Sequence, residues 1–100
     1  MRVVWNQQAI DDRITIMAQR TGYVTAESAI KHDDLIEAKG EGLAGVVTYK
    51  KGRVKGTHEY VFSDQYIMVY LIEADVIEML TILPTAVNWA NSAKKIKSLI

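Results

Sequence analysis

Four basic side chains stand directly before a histidine, in an arrangement that could act on a phosphodiester. Lys50, Lys51, Arg53 and Lys55 lie within six residues, and His58 follows them. Histidine can give or take a proton near neutral pH, while lysine and arginine bind phosphate and stabilise the negative charge of its transition states. If the protein is an enzyme, we expect His58 to transfer the proton and Arg53 and Lys51 to supply electrostatic stabilisation.

The same residues also have a structural interpretation. A basic turn can keep the edge of a sheet from pairing with other chains, and His58 can be a polar surface residue on an edge strand. Because side chains alternate along a strand, Glu59 is expected on the face opposite His58 and Tyr60, and is not expected to pair with His58. The residue types leave both interpretations open.

Aromatic residues near the basic turn could contact a nucleic acid or another target. Nucleic-acid bases stack on exposed aromatic rings when basic side chains lie beside those rings. The predicted target contacts are Lys50, Lys55, Tyr60 and Trp89. Tyrosines in a sheet more often pack in the core or at its rim, and this interpretation also covers Tyr66 and Tyr70. We expect Trp89 to be partly exposed.

Three apolar segments predict the strands that carry these residues. They are rich in β-branched and aromatic residues and span Thr57–Phe62, Tyr66–Ile72 and Val76–Leu83. Links of about three residues allow only antiparallel hairpins, because a parallel return needs a crossover of roughly a dozen residues. The middle strand is apolar on both faces, so another element should cover the resulting meander.

Two amphipathic helices precede the meander. A strand-forming segment, Arg2–Trp5, leads into a helix that begins at Gln7, and a second helix is expected over Ala26–Lys39. The expected N-caps are Asn6 and Thr25, and the expected stops are Gly22, Gly40 and Gly42. Packing of this helical hairpin on one face of the sheet predicts a two-layer α+β fold of the order β-α-α-β-β-β.

The remaining segments are less regular. Val46–Tyr49 is either a strand or an ordered approach to the sheet, and Ala93–Ile100 is a short basic helix or strand that must dock on the domain or on a partner. His32 and the pairs Asp11-Asp12 and Asp33-Asp34 are expected on solvated helix faces, because adjacent side chains on a helix point about 100° apart.

Composition narrows the function classes. One hundred residues, 49% of them hydrophobic, predict a single domain over residues 1–100. Twelve basic and twelve acidic side chains cancel, which argues against bulk electrostatic attachment to nucleic acid. Cysteine is absent, which excludes disulfides and thiol nucleophiles. We expect no metal, no cofactor, no membrane segment and a cytoplasmic location.

Beyond these patterns, the order and spacing of several motifs resemble the RelE/ParE superfamily of toxins from bacterial type II toxin–antitoxin modules. The first motif is Gly52-Arg-Val-Lys-Gly-Thr-His-Glu-Tyr-Val61, and the second is Tyr66-Ile-Met-Val-Tyr70. The third runs from Val76 to Leu83 and is followed by Ala86 and Trp89. The resemblance covers nearly the whole chain and implies a RelE/ParE-like two-layer fold with a short C-terminal element.

The sequence departs in two places from the pattern of the messenger-RNA-cleaving branch. His58 stands where many relatives carry arginine, and Pro84-Thr85 where they carry histidine or a basic residue. Cleavage of RNA needs a general base and several cationic side chains on the sheet. The middle strand carries the apolar Ile67 around the aligned position. We therefore favour a ParE-like toxin that inhibits DNA gyrase without catalysing a reaction itself.

A RelE-like, ribosome-dependent endoribonuclease that cuts messenger RNA is the alternative, and an inactive relative that only binds antitoxin is the third possibility. In each case the resemblance implies a cognate antitoxin, whose C-terminal segment would wrap the toxin in a hetero-oligomer. The predicted antitoxin-binding residues are Ile10, Ile14, Met17 and Ile96. The target would be gyrase or the ribosome with its message, and the expected roles are growth inhibition and plasmid stabilisation.

Overall fold

The computed structural model describes all 100 residues as an α+β fold. Its strands are β1 (Arg2–Trp5), β2 (His58–Phe62), β3 (Tyr66–Glu73) and β4 (Val76–Pro84). Its helices are α1 (Gln7–Arg20), α2 (Ala26–Gly42) and α3 (Trp89–Leu99), with one turn of 3-10 helix at Leu43–Gly45. The strands form one sheet in the order β1-β4-β3-β2.

The meander forms as predicted, with β3 antiparallel to both β2 and β4. In the β2–β3 turn Ser63 and Asp64 adopt φ values of 54° and 58°, and the N–H of Gln65 donates to the carbonyl of Phe62 at 3.1 Å. Turns with two left-handed residues match the twist of the flanking strands. This explains how so short a link closes the hairpin.

The N-terminal strand makes the sheet mixed rather than purely antiparallel. β1 pairs in parallel with β4, in register from Arg2 opposite Val76 to Trp5 opposite Met79. A parallel pair needs a long crossover, and here the helices and the first two strands of the meander lie between the two partners. The parallel pair is an addition to the predicted antiparallel meander.

The helical hairpin packs on one face of the sheet, as predicted. The side chains of Asn6 and Thr25 cap α1 and α2 by accepting hydrogen bonds from the N–H groups of Ala9 and Ser28, at 2.8 and 3.1 Å. The core between the hairpin and the sheet contains Ala9, Ile16, Ile36, Leu43, Phe62, Met68, Tyr70, Ile77, Met79 and Ile82. Burial of this apolar surface holds the two layers together.

The opposite face of the sheet is covered by α3. Ile96 packs with Val54, Ile67, Val69, Leu80 and Leu83, and Trp89 and Leu99 lie at the margin of this second core. Asn88 is the N-cap of α3, and its side-chain oxygen accepts a hydrogen bond from the N–H of Asn91 at 3.3 Å. The C-terminal segment therefore docks on the domain itself.

One predicted helix boundary was wrong, and of the two alternatives for Val46–Tyr49 the strand is not formed. Helix α2 does not stop at Gly40 but continues to Gly42, and Gly40 is buried beneath Trp5. A Cβ atom at Gly40 would stand 2.5 Å from two ring atoms of Trp5, so glycine is required there for close packing and not as a stop. Val46–Tyr49 forms no strand, and only Lys51 makes a bridge to His58.

Three side chains expected in solvent are engaged in tertiary contacts. Asp12 accepts hydrogen bonds from the N–H of Ile82 at 2.9 Å and from the hydroxyl of Thr81. Asp33 accepts from Arg13 Nε and Nη2 at 3.0 and 2.9 Å. His32 lies edge-on to the rings of Phe62 and Tyr66, with centroids 5.8 and 5.9 Å away. Asp11 and Asp34 are exposed, as predicted.

Candidate functional site

The basic loop before β2 is a tight, internally bonded turn. The N–H of Gly52 donates to the carbonyl of Thr57 at 2.8 Å, and the N–H and hydroxyl of Thr57 both donate to the carbonyl of Val54. Gly56 has a φ of +87°, in the region that favours glycine. A Cβ atom at Gly52 would stand 2.3 Å from the Thr57 hydroxyl, so both glycines are needed for this shape.

An open pocket of about 350 Å³ lies against this loop, and we call it the lysine pocket. Its lining residues are Lys51, Gly52, Lys55, Gly56, Thr57 and His58, without a single hydrophobic side chain. Lys51 reaches the pocket because it is the bridge partner of His58 at the start of β2. The pocket therefore combines two cations, backbone made accessible by glycine, and an imidazole.

The His58 side chain is held among aromatic rings. It stacks on Tyr70 with a centroid distance of 5.6 Å and an interplanar angle of 20°, and Tyr49 meets it edge-on at 6.1 Å. Its Nδ1 atom is buried and has no hydrogen-bond partner. Tyr49 is fixed in turn, because its hydroxyl donates to the carbonyl of Leu43 at 2.7 Å. This packing orients the imidazole, and no carboxylate is hydrogen-bonded to it.

Arg53 does not join His58 and Lys51. Its backbone N–H donates to Glu59 Oε2 at 2.7 Å, and its guanidinium lies 3.9 Å from the centre of the Trp89 ring. Glu59 is only 4% exposed and lies on the sheet face that α3 covers, so it holds Arg53 away from the lysine pocket. The prediction that Glu59 does not pair with His58 is confirmed, and the three residues predicted to be catalytic are divided between two places.

The predicted target contacts are also divided. Lys55 lines the lysine pocket, while Lys50 and Tyr60 line a neighbouring, mostly apolar hollow of about 370 Å³ with Leu43, Val46, Thr48 and Val61. Trp89 is partly buried, and one face of its ring is covered by Arg53. It therefore does not offer that face as a stacking surface.

Tyr70 is a core residue and not a stacking platform. It is 1% exposed within the core between the hairpin and the sheet. Burial, together with the nearby Tyr49, raises the pKa of Tyr70 to about 12. The packing interpretation of this tyrosine is therefore the correct one.

Three of the four residues predicted to bind antitoxin line a groove along the outside of the helical hairpin. Ile14 and Met17 line its main part with Ala18, Thr21, Ala26 and Ile30, and Ile10 lines its continuation beside Arg13 and Asp33. We call this surface the hairpin groove. Ile96 is different, because it is 0% exposed in the core beneath α3. It is not part of any accessible surface in this fold.

Sequence reasoning missed one residue that shapes the site. Tyr49, which fixes the His58 ring, lies in a segment expected to be a strand or an approach to the sheet, and nothing local marks its role. The close spacing of Gly52 and Gly56 is the local signal of the tight turn, which was predicted. No group of three or more histidine or carboxylate side chains is arranged to hold a metal ion.

None of the helices combines the length and the apolar character needed to cross a membrane. No protein-family profile matches the sequence, and no curated protein is similar to it at the sequence level. The fold, however, is similar to that of a chain in a solved structure of the chromosomal ParDE TA system from P. aeruginosa. The TM-score is 0.75 at 18% identity, and the alignment covers 84% of this chain and 95% of the other. This chain has the predicted RelE/ParE-like fold.

Proposed function

We propose that this protein is the toxin of a type II toxin–antitoxin module, neutralised by a cognate antitoxin. The observation that carries the proposal is the match to a chain of a ParDE system over 84% of this chain and 95% of the other. Motifs spread over the sequence predicted the same order of strands and helices, and this agreement also supports the proposal. Growth inhibition, plasmid stabilisation and action in the cytoplasm follow from it.

The proposed mode is inhibition of DNA gyrase by binding, without catalysis by this chain. Dispersal of the candidate catalytic residues supports this mode, because Arg53 is bound to Glu59 and stacked on Trp89, away from His58. Transition-state stabilisation needs its charged groups preorganised around one reacting centre. Pro84 and Thr85 add no proton donor or cation at the end of β4.

A RelE-like endoribonuclease is the second candidate, and the lysine pocket favours it. Lys51, Lys55 and His58 lie together there, and a cation pair beside an imidazole can bind a phosphodiester and move a proton. The third candidate, an inactive relative that retains only antitoxin binding, shares the fold and the hairpin groove. It differs from the other two in causing no growth arrest.

The antitoxin is proposed to occupy the hairpin groove. Ile10, Ile14 and Ile30 are 38%, 55% and 53% exposed, which is much apolar surface for two neighbouring helices. An antitoxin segment with an apolar stripe would cover these side chains and become ordered on binding. Because Ile96 is buried, it could contact an antitoxin only if α3 left the sheet. The proposal therefore relies on Ile10, Ile14 and Met17.

Controlled expression in a bacterial host tests the function. We expect growth arrest on induction, relief by co-expression of the neighbouring open reading frame, and recovery of the two proteins as one complex. Purified protein should inhibit supercoiling by gyrase and leave messenger RNA intact in a cell-free translation reaction mapped by primer extension. Cuts in translated codons that disappear in His58→Ala would instead establish the endoribonuclease. Absence of both growth arrest and a complex would refute the toxin proposal.

A further inference from the structure

Helix α2 carries a stripe of carboxylates on the face that borders the hairpin groove. Counted from Glu27 at intervals of three and four residues, the stripe continues through Ile30, Asp34, Glu37 and Glu41. Residues three and four apart are neighbours on one face of a helix, and Ile30 is one of the residues that line the groove. All five residues are exposed, and Asp34 forms no salt bridge. An occupant of the groove therefore lies beside several carboxylates.

Few cations offset these carboxylates. Arg13 lines the groove, and its guanidinium donates to Asp33 at 3.0 and 2.9 Å and to Glu37 at 2.8 Å. One guanidinium shared by two carboxylates leaves a negative charge at this end of the groove. Lys31 lies 3.4 Å from Glu27, but the two side chains are 73% and 80% exposed, so solvent screens this pair. The carboxylates along α2 are thus only partly neutralised.

The two helices of the hairpin are acidic, although the protein as a whole is neutral. Over α1 and α2 together, seven acidic residues stand against four basic ones, which gives a net charge of −3. Because the whole chain has twelve of each, the rest of the protein has five acidic and eight basic residues and a net charge of +3. Local charge of one sign attracts a partner surface of the other sign and disfavours a like-charged one.

The α1 side of the hairpin groove is apolar and periodic. Ile10, Ile14 and Met17 follow one another at intervals of four and three residues, and the two parts of the groove, of about 350 and 310 Å³, share Ile14 and Met17. From Ile10 to Thr21 the helix rises about 16 Å, which is three turns. Side chains repeated at this spacing form ridges and grooves into which the ridges of another helix pack.

From these observations we infer that the hairpin groove binds an amphipathic helix whose apolar stripe is flanked by lysine or arginine. The apolar side chains of this helix cover Ile10, Ile14 and Met17, and its basic side chains face Asp34 and Glu37 on α2. A helix flanked by glutamate or aspartate would bring like charges together along the same wall, which costs binding free energy. The inference rests on the proposed function in one respect, because it identifies this basic helix as the segment of the antitoxin that enters the groove.

Two synthetic peptides test the sign of the charge. Both are fluorescent helices of about 18 residues with the same leucine stripe, long enough to span three turns, and they differ in carrying lysine or glutamate beside the stripe. Fluorescence anisotropy measures their affinities for the full-length protein. The variant D34N/E37Q removes two charges from the groove, and the amide of residue 37 can still accept from Arg13. The matched control E73Q/D75N removes two exposed carboxylates at the turn between β3 and β4. Circular dichroism checks that each variant is folded.

We expect the lysine peptide to bind at least about tenfold more tightly than the glutamate peptide at about 50 mM salt, and the difference to shrink at about 0.5 M salt because the charges are exposed. D34N/E37Q should reduce this preference to about threefold or less, while E73Q/D75N should keep it. Equal affinity for the two peptides, tighter binding of the glutamate peptide, absence of binding by both, or equal effects of the two double variants would overturn the inference. A dimer of the isolated protein that dissociates in D34N/E37Q would assign the groove to a second copy and would also overturn it.

Competition with the purified product of the neighbouring open reading frame separates this inference from the toxin proposal. Displacement of the lysine peptide by that product would support the antitoxin as the owner of the basic helix. A peptide that binds with the expected preference but is not displaced would overturn this assignment. Growth arrest does not depend on the sign of the charge in the groove. Charge preference without growth arrest would therefore refute the toxin proposal and still support a basic helix as the occupant of the groove.

Discussion

Asp12 on α1 accepts a hydrogen bond from the backbone N–H of Ile82 at 2.9 Å and so completes the outer edge of β4. Strand β1 pairs with β4 only as far as Met79, which leaves the following edge of β4 without a strand partner. The Asp12 carboxylate fills this gap and also accepts from the hydroxyl of the fully buried Thr81. Lys95 of α3 approaches the same carboxylate, with Nζ 3.8 Å from Oδ1.

We therefore predict that Asp12→Ala lowers the free energy of unfolding by about 2–4 kcal/mol, because it leaves two buried donors without an acceptor. Asp12→Asn should cost less, since an amide oxygen can still accept. Urea denaturation followed by circular dichroism measures both changes. Asp11→Ala is the control, and its effect should stay within about 0.5 kcal/mol because Asp11 is exposed. Equal losses at the two positions would contradict the edge-capping role.

The basic loop offers a second prediction, at Glu59. Glu59→Ala removes the buried acceptor of the Arg53 N–H and should cost about 1–3 kcal/mol. Arg53→Ala should cost less than about 1 kcal/mol, because the guanidinium is 53% exposed and the N–H bond remains. Both variants should change the emission of Trp89, on which Arg53 lies. If Arg53→Ala proved the more damaging, the guanidinium and not the backbone contact would anchor the loop.

The contacts of Asp12 and Glu59 show which features of the fold local sequence patterns predict and which they do not. The caps at Asn6 and Thr25 and the three strands of the meander follow from local residue patterns, and all were predicted. The contact between Asp12 and Ile82 joins residues 70 positions apart, and no local pattern signals it.

The candidate site was predicted only in part, because local patterns do not signal contacts between residues that are far apart in the sequence. Lys51 and His58 meet because they flank one tight turn, and local spacing is enough to suggest that. The position of Arg53 depends on where α3 docks, because Trp89 and Glu59 hold it on the second face of the sheet. Ile96 was assigned to a binding surface because an amphipathic tail gives no sign of which partner its apolar side covers.

His32 makes stability depend on pH below neutrality. Burial, reinforced by the nearby Arg20, lowers the pKa of His32 below its usual 6.5, while Asp33 opposes the shift. The unfolded chain then binds a proton more readily than the folded one, so this stability is present above pH 6.5 and is lost as pH falls through the folded-state pKa. His32→Phe, which keeps a ring against Phe62 and Tyr66, should flatten this dependence in urea titrations. An unchanged slope would exclude His32 as the cause.

Tyr70 has the opposite effect in alkaline solution. Its pKa is raised from 10.0 to about 12, so the folded state retains the proton longer than the unfolded chain. The corresponding stability is complete below pH 10 and is lost as pH rises to about 12. Tyr70→Phe preserves the packed ring and should reduce the fall in melting temperature over this range. The absorbance of tyrosinate, followed in parallel, should show one fewer late-ionising group, and an identical profile would contradict the assignment.

Substitutions at Ile14 and Ile96 distinguish a surface residue from a core residue in the proposed antitoxin complex. Ile14 is 55% exposed in the hairpin groove, so Ile14→Glu should leave the melting temperature nearly unchanged and weaken the antitoxin complex at least about tenfold. Ile96→Ala should instead lower the free energy of unfolding by about 2–5 kcal/mol, because it creates a cavity beneath α3. Pull-down and calorimetry with the purified neighbouring gene product measure the affinities. If Ile14→Glu bound the antitoxin with full affinity, the antitoxin would not occupy the hairpin groove. If Ile96→Ala bound it more tightly, the antitoxin would displace α3, because loosening this helix would then favour binding.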